Sequence, residues 1–157
     1  MTPTRKIRTG IWRDNRFRTL SVEAKLLYFY YVASAHSNRL GFYVLPRWYM
    51  VADLRLSPER VEKAFQEVLN SGLISYDEES SVIFVRDYIF WDPPENPKQV
   101  KAAIKVLESV PAPPELFAEL KRSLERLNRR MCQPLIQWLE EKVSSSAQQE
   151  VAKNEQV

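Results

Sequence analysis

One cysteine, one histidine and three glycines stand among 157 residues, and each scarcity removes a class of chemistry. A single cysteine, Cys132, forms no intramolecular disulfide and holds no structural zinc by itself. It reads as a packed or surface thiol rather than a nucleophile. His36 has no second histidine and no nearby cysteine, so it makes a poor metal ligand or catalytic base. It reads as a loop residue making local hydrogen bonds. With so little glycine there is no G-x-x-x-x-G-K-[ST] or G-x-G-x-x-G loop to cradle a phosphate on backbone amides. No nucleophile elbow surrounds a serine. The acidic pairs Glu78/Glu79 and Glu140/Glu141 read as a solvated turn and helix face. These absences argue against an enzyme and imply no cofactor and no metal. No apolar run reaches membrane-spanning length, and no signal-peptide core opens the chain, so a cytoplasmic protein with no membrane partner is expected.

What the chain does hold is an apolar fraction of 45%, enough for a core, and 27% charged residues. The net charge of +3 is unevenly spread. Residues 1–20 carry six basic residues against one acidic, residues 21–97 seven against eleven, and residues 98–157 ten against eight. Positive charge thus lies before and after the middle of the chain, a layout suited to nucleic-acid contact by an arm or flanking helix.

The middle is organised around Asp53 to Trp91. Ser57 is a helix N-cap, and Pro58 fits the first helical position, where its missing N–H costs nothing. Val61, Ala64, Phe65, Val68 and Leu69 recur at helical spacing. Gly72 supplies the left-handed stop, with Leu73 folding back onto Val68. Leu73–Tyr76 and Val82–Tyr88 are β-rich runs around D-E-E-S-S, predicting a hairpin, with Ile89, Phe90 and Trp91 carrying the second strand onward. Upstream, Ser21 opens a helix through S-V-E-A-K-L-L-Y-F-Y-Y-V-A-S. Its Leu26–Val32 stretch is apolar all round and needs cover on more than one side. Tyr28, Tyr30 and Tyr31 read as core. F-Y-V-L is a short strand. Pro46 starts the helix R-W-Y-M-V-A-D-L, which ends near Arg55, about three residues before the next, as in a helix-turn-helix.

The expected fold is mainly α with a small β-hairpin: a winged helix-turn-helix followed by C-terminal helices. Residues 1–20 form a basic arm, mobile at its start and anchored by Ile11, Trp12 and Phe17. Residues 21–92 form the winged helix, and D-P-P-E-N-P is a stiff strap. Residues 93–143 are a helical extension. It holds amphipathic helices over Lys98–Ser109 and Glu115–Arg130, and a third from Pro134. Residues 144–157 read as a frayed or flexible tail.

In a winged helix the second helix of the turn motif enters the major groove. Arg55, Ser57, Arg60, Lys63 and Gln66 are the groove-facing candidates. Arginine and lysine donate to guanine or phosphate, and glutamine bonds adenine. Arg5, Lys6, Arg8, Arg13, Lys98, Lys101 and Lys105 are the phosphate candidates. Glu59, Glu62 and Glu67 share the helix face, and the wing tip carries acid where a DNA-contacting wing has a base. That keeps open a protein-docking or oligomerisation winged helix with little DNA affinity. A transcriptional regulator on the same fold is a third reading.

W-R-D-N-R-F-R-T-L-S-V-E-A-K-L-L-Y-F-Y, N-R-L-G-F-Y-V-L-P and L-S-P-E-R-V-E-K-A-F-Q-E-V-L-N-S-G-L-I-S-Y-D occur here in one order, from Ile11 to about Pro97. This ground resembles the N-terminal winged-helix domain of DnaD-like primosome proteins and the replisome-organiser proteins of phages and prophages. The resemblance implies a role in starting replication. It implies modest binding of double-stranded DNA, self-association into a homo-oligomer, and contact with other replication proteins. In that family the N-terminal domain is associated with oligomerisation, and much DNA binding lies in a separate C-terminal domain.

Overall fold

The computed structural model describes residues 2–156; Met1 and Val157, the outermost residues of the expected arm and tail, lie outside them. The chain divides into two compact units, Met1–Pro93 and Pro94–Val157. It is mainly helical, with one small antiparallel sheet and C-terminal helices, as the sequence predicts.

In the first unit a 3₁₀ turn, Thr9–Arg13, leads to the short helix α1, Asn15–Arg18. Asp14 caps α1 by accepting from the Arg16 N–H at 2.9 Å. Helix α2, Val22–Ala33, is capped by Ser21, whose Oγ accepts from the Ala24 N–H at 3.2 Å. It buries Ala24, Leu27, Tyr28, Tyr31 and Val32. Strand β1, Phe42–Val44, follows, then α3, Arg47–Leu54, with Pro46 at the cap position. Helix α4, Pro58–Ser71, starts on the Ser57 cap and stops at Gly72, where φ is +84°. Val61, Ala64, Phe65 and Val68 are its buried face, so the predicted period is the observed one.

Strands β2, Ile74–Asp77, and β3, Val82–Val85, complete a sheet in the order β1-β3-β2. β1 pairs with β3 through Phe42↔Phe84, Tyr43↔Ile83 and Val44↔Val82. The Val85 N–H reaches the Gly41 carbonyl and the Leu45 N–H reaches the Ser81 carbonyl, both at 2.7 Å. That phase turns the Phe42 backbone groups away from the sheet. The Asn38 side chain takes both: its Nδ2 donates to the Phe42 carbonyl at 2.7 Å, and its Oδ1 accepts from the Phe42 N–H at 3.1 Å. Gly41 enters β1 at φ +66°, packed so closely that a Cβ there would lie 3.1 Å from the Tyr88 Cβ.

Two expectations are corrected in this unit. β3 ends at Val85, and Tyr88–Trp91 is a helical turn, α5, rather than more strand. The turn closes through Phe90 N–H to Asp87 O and Asp92 N–H to Tyr88 O, so these groups bond within the segment instead of extending the sheet, and it buries Tyr88 and Ile89. Trp12 anchors less than its neighbours: Ile11 and Phe17 are buried, while Trp12 lies over Phe17 and Phe29 and remains 58% exposed. The arm is held at Arg5 and Lys6. Arg5 donates to the Ser37 Oγ and carbonyl at 3.0 and 2.9 Å, and the Lys6 N–H donates to the Tyr88 hydroxyl at 3.1 Å.

The second unit holds α6, Pro97–Glu108, α7, Pro114–Leu127, and α8, Gln133–Glu155. Asn96 caps α6, and Asn128, at φ 54°, ends α7 in the left-handed region that asparagine tolerates. Val100 and Leu107 of α6, Leu116, Phe117, Leu120 and Leu124 of α7, and Leu135, Ile136 and Leu139 of α8 are buried, with Cys132 among the buried residues of this unit. The segment expected to fray from Ser144 instead continues α8 to Glu155, although its side chains are mostly exposed. Among the described residues no helix is long and apolar enough to cross a membrane.

Candidate nucleic-acid interface

The site is the turn between α3 and α4 and the outward side of α4. The turn exists because Arg55 adopts φ 56°, which stops α3, and Ser57 restarts the chain two residues later. The Ser57 hydroxyl accepts from the Arg60 N–H at 3.3 Å, so its oxygen is committed to the cap. Glu59, Arg60, Glu62, Lys63, Gln66 and Asn70 are exposed on α4.

These side chains divide by what already holds them. Arg60 is paired with Glu23 of α2, its Nε 2.7 Å from Oε1. Gln66 donates to Glu62 at 3.1 Å, within the same helix. Glu67 accepts from the Ser21 N–H at 3.0 Å and from its Oγ–H at 2.6 Å. The Ser21 hydroxyl and then its N–H hold the Glu67 carboxyl below the usual carboxylate range. Arg47, from the first turn of α3, stacks 4.2 Å from the Phe65 ring and forms ion pairs with two acids. Its Nε is 3.1 Å from Glu62, and its Nη2 donates to Glu78 of the β2–β3 turn at 2.5 Å. One arginine therefore fastens α3, α4 and the β2–β3 turn.

Between β2 and β3 Asp77 accepts from the Ser80 N–H at 2.8 Å and its hydroxyl at 2.5 Å, shaping the turn. Glu78 and Glu79 remain exposed. Arg55, Lys63 and Arg13 are exposed and make no ion pair among the described residues.

The arm residues are partly occupied. Arg5 holds Ser37, the Lys6 Nζ lies 3.3 Å from Asp92, and Arg8 donates to the Phe90 carbonyl at 2.7 Å. Arg16 bridges Asp14 at 2.7 Å and Asp87 at 2.6 Å. Its hydrogen bond to Asp14 keeps that carboxyl below the usual range. In the second unit Lys98, Lys101 and Lys105 are exposed along α6, with no ion pair among the described residues.

Sequence reasoning passed over Arg47, Glu23 and Trp48. The first two act through partners about thirty residues or more away in sequence, which no local pattern reveals. Trp48 had a signal: at helical spacing it shares a face with Ala52 and Arg55, opposite the buried Met50. No protein-family model, no curated protein and no solved structure matches this chain.

Proposed function

We propose that the first unit is a winged helix-turn-helix and that the chain is a cytoplasmic, DNA-binding accessory of replication initiation, of phage or prophage type. The element order α2-β1-α3-α4-β2-β3, with the sheet order β1-β3-β2, supports the winged helix. The observation that carries DNA contact is the open turn between α3 and α4, where Arg55 and Lys63 are exposed with no ion pair among the described residues, although the Lys63 charge also acts on the Glu67 carboxylate. The base-reading donors Arg60 and Gln66 are held by Glu23 and Glu62. Binding of this kind runs through phosphates and is indifferent to sequence. Arg13 and the α6 lysines are further phosphate ligands on this reading.

Self-association belongs to the same proposal. Val22 is 82% and Leu26 48% exposed, one turn apart on α2. An apolar helix face left in water favours a second copy. Leu26→Glu is expected to lower the mass found by light scattering; an unchanged mass removes α2 from the interface.

Fluorescence anisotropy with two unrelated duplexes tests the DNA reading. Equal affinities are expected, falling with salt at a slope of about −0.9 per phosphate contact. Arg55→Ala and Lys63→Ala should each reduce the slope by about 1. No binding to either duplex at low salt would overturn the reading. A second reading, a protein-docking winged helix, is favoured by Glu59 and Glu79, two outward carboxylates on α4 and the wing with no ion pair among the described residues. On that reading a basic protein partner binds where DNA does not.

A further inference from the structure

We propose that Trp48, braced by Tyr49 and His36, is a stacking platform for an unpaired nucleobase, so that this face of α3 takes single-stranded DNA. The proposal rests on the DNA-binding reading and names the form of DNA. Trp48 sits in the first turn of α3 and is 65% exposed, more than any other tryptophan in the chain. Hydrophobic burial does not account for a side chain left that open.

The ring is nonetheless fixed from behind. Its centroid lies 4.1 Å from that of Tyr49, at 85°. Tyr49 in turn stacks on His36 at 4.5 Å and 29°. His36 comes from the loop after α2, so the three rings span two elements and are held by both. Asp53, the acid nearest to this stack, is engaged: it accepts from the Tyr30 hydroxyl at 2.5 Å and lies 3.7 Å from the His36 Nε2.

A cation stands at one end. Arg55 ends the same helix seven residues on, roughly 10 Å along the axis, exposed and without an ion pair among the described residues. Near His36 the half-buried Arg5 is committed to the protein, donating to the Ser37 Oγ and carbonyl and to the Thr4 carbonyl. An aromatic face beside a phosphate-binding cation is an arrangement by which proteins hold a single strand without reading its sequence. A duplex keeps its base faces inside its own stack and has none to offer Trp48. A protein hot spot fits less well. Ala52 and Asp53, exposed on α3 between Trp48 and Arg55, supply no apolar core around the indole.

The test is anisotropy of a labelled oligo-dT and of a duplex of equal length, with the full chain and two variants. Trp48→Ala is expected to weaken oligo-dT binding roughly 5- to 100-fold, the range for loss of one base–aromatic stack. Duplex binding should change less than about twofold, since phosphate contacts are untouched. Trp48→Phe should retain most of the oligo-dT affinity, which separates lost stacking from a damaged fold. An equal loss on both DNAs, or no loss on either, overturns the platform. Duplex binding with no oligo-dT binding also overturns it, while leaving the replication-accessory reading standing. Failure of both DNAs to bind the unaltered chain sinks that reading and this one with it. Binding of a protein partner that needs Trp48 while oligo-dT does not would reassign the surface to protein.

Discussion

Two glycines with similar backbone angles should respond very differently to one added methyl group. Gly41 has φ +66° and Gly72 has φ +84°, so alanine at either is held in the left-handed region. That strain costs about 1–2 kcal/mol, offset by about 0.4–1 kcal/mol because alanine also restricts the unfolded chain. At Gly72 nothing else is added: the nearest atom to the new Cβ is the Arg86 Nη1 at 3.9 Å, the end of a flexible side chain. A net loss of about 1 kcal/mol follows. At Gly41 the methyl meets the Tyr88 Cβ at 3.1 Å and the Val85 Cβ and carbonyl oxygen at 3.2 Å. Those atoms belong to backbone or to the base of buried side chains and cannot swing aside. Overpacking adds about 1–3 kcal/mol, for a total of about 2–4 kcal/mol. Urea unfolding followed by tryptophan fluorescence measures the difference. A Trp138→Phe background leaves Trp12, Trp48 and Trp91, all in the first unit. With a urea slope of about 1–3 kcal/mol per molar, Gly72→Ala should lower the midpoint by about 0.5 M and Gly41→Ala by about 1–2 M. Equal shifts, or a larger one at Gly72, would refute the steric argument.

Ser57→Ala removes the cap of α4 and should cost about 1 kcal/mol, lowering the melting temperature of the first unit by about 4–8 °C. Ser57→Asp should keep most of it, and equal losses for both would deny the capping role. Glu67 is held below the usual carboxylate range by the Ser21 hydroxyl and then its N–H, so the stability it contributes is complete above the ordinary glutamate range and is lost as pH falls through its folded value. Ser21→Ala should raise that folded value in a carboxyl-carbon NMR titration; an unmoved value contradicts the assignment. Cys132 is buried, and burial pushes its thiol up. A thiol reagent should leave it unmodified in native protein and label it fully in urea, and rapid native labelling would place it at the surface instead.

Much of this fold was legible because its signals are local. Ser57, Pro58 and Gly72 bracket α4 through capping chemistry that involves only neighbours in sequence, and the Val61–Val68 period names its buried face. The same holds for Ser21 and α2. Tyr88–Trp91 misled because aromatic and β-branched residues favour strands by propensity, whereas here the chain bends at Asp87 and closes its hydrogen bonds within one turn. Ser144–Glu155 gave no helical signal because no apolar period runs through S-S-S-A-Q-Q-E-V. At the candidate site the sequence named donors but not their occupants. The pairing of Arg60 with Glu23, of Glu67 with Ser21 and of Arg47 with Glu78 joins residues far apart in sequence, and only the folded chain brings them together.

The amide of Asn38, closed over both outward groups of Phe42, has a consequence for crowding. The start of the β1 rim offers an incoming strand nothing to zip onto, because the N–H and carbonyl of Phe42 are already spoken for by a side chain of the same molecule. A second copy joining edge to edge at that point would first have to prise the amide away.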